Sequence, residues 1–489
     1  MLLGSLSGGA ALASEPTPYS EQALARKDYR GVRLQILTPE QPRIGEPTEL
    51  HARAFERLTG AQISVRSTPF DKLYPEVLLG LKQRKYDIVY YSSMWIADLQ
   101  PYLAPLPEEM LRSPQYQDVL SHYKSVARWG DVAYQVPIDG DRHYLQYRRD
   151  LLESPEHRAA FRETTGRALA VPRTWPELQE VARFFQGRKQ ADGRTVGGLV
   201  EVTAHYATLG IQFIKRAAPY AKHPRVKGGF YFELENMEPL INTPGFVEAL
   251  NDFVAARDLH PPGGREQTLA QVIQAFGNGE AVFSDSWDAP FVQAMEPGSP
   301  TRNKVAIALS PGARRVWNRK SGSWDEFPEV NYAPYVAYGS TAAVARESTQ
   351  RQAAFDFLGF FANAENHAAD LLVGRFGINP FRHADLNRGF WVKQAGWDQV
   401  VAESYVQMLE RMDRSHNRIL DLRIHRGQDY VHVLSVGVYR ALTGRESPQS
   451  ALDTVAARWR ELTARVGVQK QREAYRHVVL FEDGQEDPR

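Results

Sequence analysis

Two carboxylates flank one glycine in Asp139-Gly140-Asp141, and His143, Tyr144 and Tyr147 follow directly in the run Val136 to Leu152. Paired carboxylates can act as acid and base on a glycosidic bond or as oxygen ligands of Ca²⁺. They can also accept hydrogen bonds from the hydroxyls of a polar solute. No calcium-binding loop pattern surrounds them, so hydroxyl binding is the simplest of the three. The Asp-Gly-Asp segment favours a tight turn. An alternating strand comes next, with Ile138, His143, Leu145 and Tyr147 on one face and Tyr144, Gln146 and Arg148 on the other. Carboxylates and a histidine suit a plain core strand poorly. The run therefore reads as a first crossing between two lobes, with a cleft between them.

A second group of the same kind is Asp285-Ser-Trp287-Asp288, after a strand beginning at Ala281. Trp287 can cover the C–H face of a ring while its neighbours, Asp288 among them, take hydroxyls. Near the N-terminus the pattern is β-α-β-α-β. Strands at Val32 to Leu37, Gln62 to Val65 and Tyr86 to Tyr90 alternate with helices over Pro47 to Thr59 and from an Asp71 cap. Short loops in that order require a parallel sheet with right-handed crossovers. Such sheets bind ligands beyond the C-terminal ends of their strands. Those ends carry Glu40, Ser93 and Trp95. The alternative for Trp95 is packing against the sheet.

The other elements are positional. Thr174 and Glu177 form a capping box ahead of a helix. His205 to Ala217 is a helix facing the cleft and carrying Tyr206. Val305 to Leu309 returns toward the first lobe. Trp317 and Trp324 flank a hairpin whose default place is the solvent-exposed surface. Gly339-Ser340 precedes a strand, and a glycine there lets backbone approach a ligand. Thr349 to Leu372 reads as one long helix, and Ser447-Pro448 opens the last one.

Composition excludes several classes. The chain has 489 residues, 43% of them hydrophobic, and a formal charge of +1. That is a globular profile without the basic surplus of a nucleic-acid binder. The absence of cysteine excludes disulfides, thiol catalysis and a lipid anchor on Cys. Nucleophile-elbow, Walker A, dinucleotide and zinc-protease motifs are missing. His416, His425 and His432, with Asp421 and Asp429 between them, fit no metal template. No cofactor and no metal are expected. Ala11-Leu12-Ala13 has the form of a signal-peptidase site, so residues 1–28 read as a signal remnant and flexible N-terminus.

The motifs taken in order resemble the family 1 extracellular solute-binding proteins, the periplasmic receptors of ABC importers for sugars and polyols. Val136 to Leu152 resembles that family's first crossover strand. The Thr174-Trp175 helix start and the turn at Gly277 to Glu280, with its strand and tryptophan, resemble recurrent family elements. So do Gly339-Ser340 and the turn Arg375 to Pro380, which opens onto the cleft in the family. The resemblance implies an α/β chain with a type II-like two-lobe periplasmic-binding-protein fold. Each lobe is then a mixed sheet flanked by helices, joined by hinge crossovers near 139–148, 285–305 and 340–375. Residues 29–140 and 289–345 form the first lobe; 141–288 and 346–489 form the second with its C-terminal helices. The implied protein is a monomeric periplasmic receptor, not an enzyme. It delivers a sugar or polyol to importer membrane subunits, with ligand contacts at Glu40, Ser93, Trp95, Asp139, Asp141, Trp287, Asp288, Gly339, Ser340 and Arg375. An accessory binding protein that kept the fold without transport and a glycosidase-like hydrolase are the alternatives.

Overall fold

The structure is a computed structural model that describes residues 16–190, 193–205, 207–261, 266–336 and 339–484. The expected cleavage motif at Ala11 to Ala13 and Tyr206 lie outside the described residues.

Two separate five-stranded sheets organise the chain, numbered here by strand order in the sequence. The first runs β2 (Gln62–Thr68), β1 (Arg33–Pro39), β3 (Ile88–Ser92), β14 (Ser340–Val344) and β6 (Val136–Pro137). The β2–β1–β3 part is parallel, as the short β-α-β-α-β loops demand. The late strand β14 enters antiparallel to β3, pairing Ser340 with Ser92. The second sheet runs β11 (Val305–Ala308), β7 (His143–Arg148), β10 (Ala281–Trp287), β9 (Thr195–Val200) and β8 (Arg188–Lys189). Two ribbons complete the strands: β4 (Arg128–Trp129) with β5 (Val132–Ala133), and β12 (Ala313–Asn318) with β13 (Ser323–Asn331).

Helix Gly45–Thr59 stops at Gly60, which takes the left-handed conformation. Thr174 caps helix Trp175–Phe185 by accepting from the Glu177 amide. The return bond goes to the Arg173 amide rather than to Thr174, so the box is shifted by one residue. Asp71 lies in the first turn of helix Phe70–Lys82 and is not its cap, since Pro69 holds that position. The long helix expected from Thr349 is broken in two, Arg351–Phe361 and Ala364–Leu371, and the Asn363 side chain restarts the second piece. Helix Val468–Glu482 follows the one that begins at Pro448.

One hydrophobic core, built on Leu34, Ile36, Phe55, Phe357 and Phe361, fills the outer face of the first sheet. The inner face does not end at the lobe boundary. Leu37, Tyr91 and Trp95 belong to one contiguous core with Phe213, Phe283 and Trp287 of the second lobe. The lobes are therefore joined by apolar packing as well as by chain.

The sheets divide the sequence differently from the expectation. Strand β11 is an edge of the second sheet, antiparallel to β7. The short helix Ala289–Met295 that precedes it packs on both β10 and β11 and keeps the chain in that lobe. The β12–β13 hairpin likewise packs on helix Ala207–Ala221, with Trp317 opposite Trp324. Among the described residues of 289–345, β14 is the strand that joins the first sheet. Helix Arg351–Phe361, expected in the second lobe, packs on helix Gly45–Thr59 and β14. The chain thus crosses at 138–142, again between β13 and β14, and a third time between Asp385 and helix Gln399–Asp413. It does not cross at 285–305. The stretch up to residue 28 is not wholly flexible either: Tyr19 and Leu24 are buried, and the Asn363 amide holds the Tyr19 carbonyl.

Candidate functional site

The first crossing brings two of the expected carboxylates together with a turn from the C-terminal half. Between β6 and β7 the turn Asp139-Gly140-Asp141 lies against the turn 377–380. Asp139 accepts from the Asn379 backbone amide at 2.9 Å and from its side-chain amide at 3.0 Å. The same side-chain nitrogen donates to Asp141 at 2.9 Å. One amide therefore brackets two carboxyls. The close approach is possible because Gly140 has no side chain: a Cβ there would run into the Pro380 carbonyl. Gly339 supports the turn from the other crossing. Its φ is +139°, and a Cβ on it would strike the Asp139 carbonyl. The Ser340 carbonyl accepts from the Ile138 and Asp139 amides, so Gly339 and Ser340 hold the turn through backbone.

Asp288, just beyond β10, comes to the same place. One of its oxygens accepts from the Arg142 amide at 2.8 Å; the other is buried without a partner. Asp139 and Asp288 are buried and Asp141 is partly buried. Burial and then the charge of Asp288 push the Asp139 carboxyl up to about 7. Burial and the charge of Asp141 push Asp288 up to about 8. Asp141 is raised well above the carboxylate range by burial and by Asp139. The cause is plain in magnitude. Two full charges ~4 Å apart repel by about 4 kcal/mol at an effective dielectric of ~20. The three groups share few donors and lower that cost by keeping protons.

The nearest guanidinium is committed elsewhere. Arg142, fully buried, makes a two-pronged pair with Asp413 at 3.0 and 2.9 Å and donates to the Gly140 and Pro380 carbonyls. On the far side of β7, His143 sits between Trp287, at 4.1 Å between ring centres, and Tyr335, at 4.8 Å. Both of its ring nitrogens are buried without a partner. Tyr335 donates to Asp421, whose carboxyl burial pushes up to about 7.

The remaining expected residues separate. Trp287 is only 4% exposed, because β10 is central in its sheet and every residue of it is buried. The indole is therefore packed in the sheet and not open to water. Asp285 beside it pairs with Lys215 and Ser310. Trp95 stands in the seam between the lobes, packed on Phe70 and Tyr74, and donates to Gln428 at 3.0 Å. The packing alternative accounts for its position. Ser93 is buried beneath it, with its hydroxyl unpartnered and its amide on the Gly339 carbonyl. Glu40 is exposed, and its backbone continues the β1–β2 pairing. Arg375 points outward to an ion pair with Glu46 at 2.6 Å. In that turn the residue facing the carboxyls is Asn379, which the sequence reading passed over. Its signal was available: it is the polar residue next to the proline in the turn expected to open onto the cleft.

Among the described residues no group of three or more His, Asp or Glu is arranged to hold a metal ion. His416, His425 and His432 do not converge on one site; His425 instead joins Asp98 across the seam at 3.2 Å. No described helix is long and apolar enough to cross a membrane.

Comparison with known proteins agrees with this architecture. Maltose-bound MalE3 of T. maritima superposes with a TM-score of 0.67 at 19% identity, over 88% of this chain and 100% of that one. A ribitol-bound ABC transporter solute-binding protein of Agrobacterium radiobacter gives 0.68 at 18%, over 89% and 100%. A mannitol-bound one of Agrobacterium vitis gives 0.67 at 15%, over 89% and 99%. Each shares the two-lobe fold. The model of the bacterial extracellular solute-binding protein family matches residues 39–368, well over half of the sequence. The chain belongs to the bacterial extracellular solute-binding proteins, a family of binding receptors rather than enzymes.

Proposed function

We propose that this chain is the solute receptor of an ABC importer for a sugar or polyol. It works in the periplasm as a monomer without a lipid anchor, and it docks on the importer's membrane subunits once the lobes have closed on solute. The observation that carries the reading is the meeting of two buried carboxyls and a partly buried one with two glycine-dependent backbone turns where the chain crosses between the lobes. Asp139, Asp141 and Asp288 are placed to accept hydroxyls, and Gly339, Ser340 and Asn379 hold them in position. Trp287 and His143 offer ring faces behind them. Opening about the crossings would uncover this set, as hinge motion does in two-lobed proteins. The bound ligands of the similar structures, maltose, ribitol and mannitol, define the solute class to test first.

Calorimetry and melting with these solutes test the reading. A ligand that binds only the folded chain raises the melting temperature, by the linkage of binding to folding. Failure of a broad set of sugars and polyols to bind would remove it. The seam packing of Trp95 and Trp287 favours a second reading, an accessory binding protein whose cleft stays shut. Small-angle scattering separates the two. A receptor contracts on adding ligand, whereas a permanently shut protein keeps its radius.

A further inference from the structure

We infer that the solute carries a protonated amine as well as hydroxyls, that is, an amino sugar or an amino polyol seated on Asp139, Asp141 and Asp288. The inference rests on the receptor reading above and narrows it.

The three carboxyls lack a cationic partner among the described residues. Among the described residues, no Lys or Arg side chain is within ion-pair distance of these three carboxyls. The cations nearby are otherwise engaged. The Arg142 guanidinium serves Asp413 and two carbonyls and acts on Asp288 only through its charge. Lys215 serves Asp285. Arg423, beside Asp421, donates to the carbonyls of Val126 and Arg128. Arg43 acts on Asp141 only through its charge.

A second observation points into the same place. Asp288 is fully buried and has one oxygen with no partner. The Tyr144 hydroxyl, fully buried, faces that carboxyl without closing a hydrogen bond in good geometry, and the Tyr405 hydroxyl stands next to it. A buried carboxyl oxygen thus lacks a well-formed hydrogen bond beside a phenol, next to two more carboxyls. A neutral hydroxyl can satisfy one such oxygen and leaves the carboxyls to keep their protons. An ammonium brings three N–H donors and a charge of the opposite sign. In the empty protein, protons held on the carboxyls do the same work, and the amine replaces them on binding.

The test compares matched pairs by calorimetry on the full chain at neutral pH: D-glucamine against D-glucitol, D-glucosamine against D-glucose, and the glucosamine disaccharide against cellobiose. The expected result is an amine at least about tenfold tighter than its hydroxyl partner in one or more pairs. The variants Asp288→Asn and Asp141→Asn should each shrink that ratio to about threefold or less; two variants are used in case one fails to fold. A neutral member that binds as well as its amine overturns the inference, as does an amine preference that survives both variants. So does binding of maltose, ribitol or mannitol with no binding of any amine, and that outcome leaves the receptor reading standing. If neither the amines nor the neutral solutes bind, the receptor reading fails and this inference fails with it.

Discussion

Two sets of buried carboxyls lie within a few residues of each other in the fold and behave in opposite ways. Asp139, Asp141 and Asp288 are held above the carboxylate range. Asp413 and Asp385, equally buried, are held below it. Burial raises all five, so burial is not the difference. Asp413 faces Arg142 and His122. Asp385 faces His367 and Arg382 and accepts the Phe381 and Arg382 amides. The first set has one asparagine, a few amides and each other. A fold that stabilises its structural carboxylates fully has left three unstabilised at the point where its lobes meet. That contrast separates scaffold from site more clearly than burial or polarity does.

The largest effect should come from breaking the scaffold side. Asp413→Ala strands a fully buried guanidinium and is expected to cost about 3–5 kcal/mol of stability. Urea denaturation measures it. A loss below about 1 kcal/mol would mean that Arg142 finds other partners and that the contrast is overdrawn.

The next effect is on the site side and has the opposite sign. Asp288, raised to about 8, binds a proton in the folded chain at pH values where the unfolded chain has lost it. Its contribution is therefore fully present below the unfolded value near 4 and is lost as pH rises toward 8. Asp139 and Asp421, each near 7, act in the same direction. Asp288→Asn cannot ionise. Its stability relative to the natural chain should improve by on the order of a few kcal/mol between pH 4 and pH 8. Parallel melting curves across that range would show that Asp288 is not the strained group.

Much of this was legible before any coordinates. The Asp-Gly-Asp turn followed by an alternating strand located the first crossing, because turn chemistry and period-two patterning are local signals. Asp288 was reachable because it follows the end of a recognisable strand. What could not be read was the destination of each strand. Val305 to Ala308 looks the same whether it joins β7 or returns to the first sheet, since an edge strand carries no mark of its neighbour. Trp287 misled for a related reason. Polar neighbours suggested exposure, but Asp285 is neutralised by Lys215, which lies 70 residues earlier. Burial of a polar strand end depends on such distant partners.

The latch across the seam gives a smaller effect. Asp98 of the first lobe is partly buried, yet bonds from His425, Tyr74 and the Arg426 amide hold its carboxyl below the ordinary range. That stabilisation is present at neutral pH and is lost as pH falls below about 4. Asp98→Asn should cost about 1–2 kcal/mol at pH 7 and less at pH 3. A cost that does not change between the two pH values would assign Asp98 a packing role only.

The smallest effect tests where the site ends. Arg375 was expected at the cleft, in the turn that also holds Asn379. It lies instead on the surface, with its guanidinium on Glu46, and both side chains are substantially open to water. Exposed pairs of this kind contribute about 0–1 kcal/mol, because water screens the attraction and ordering two long side chains offsets it. Arg375→Ala should therefore leave stability within about 0.5 kcal/mol and solute affinity unchanged within about twofold. Asn379→Ala, four residues later, removes the donor that brackets Asp139 and Asp141 and should change affinity by at least about tenfold. The two variants, titrated with the same solute, mark the edge of the site within one turn. A large affinity loss for Arg375→Ala would mean that Arg375 swings inward when the lobes open. The contrast drawn above would then gain a fourth charge, of the opposite sign, that the closed seam keeps outside.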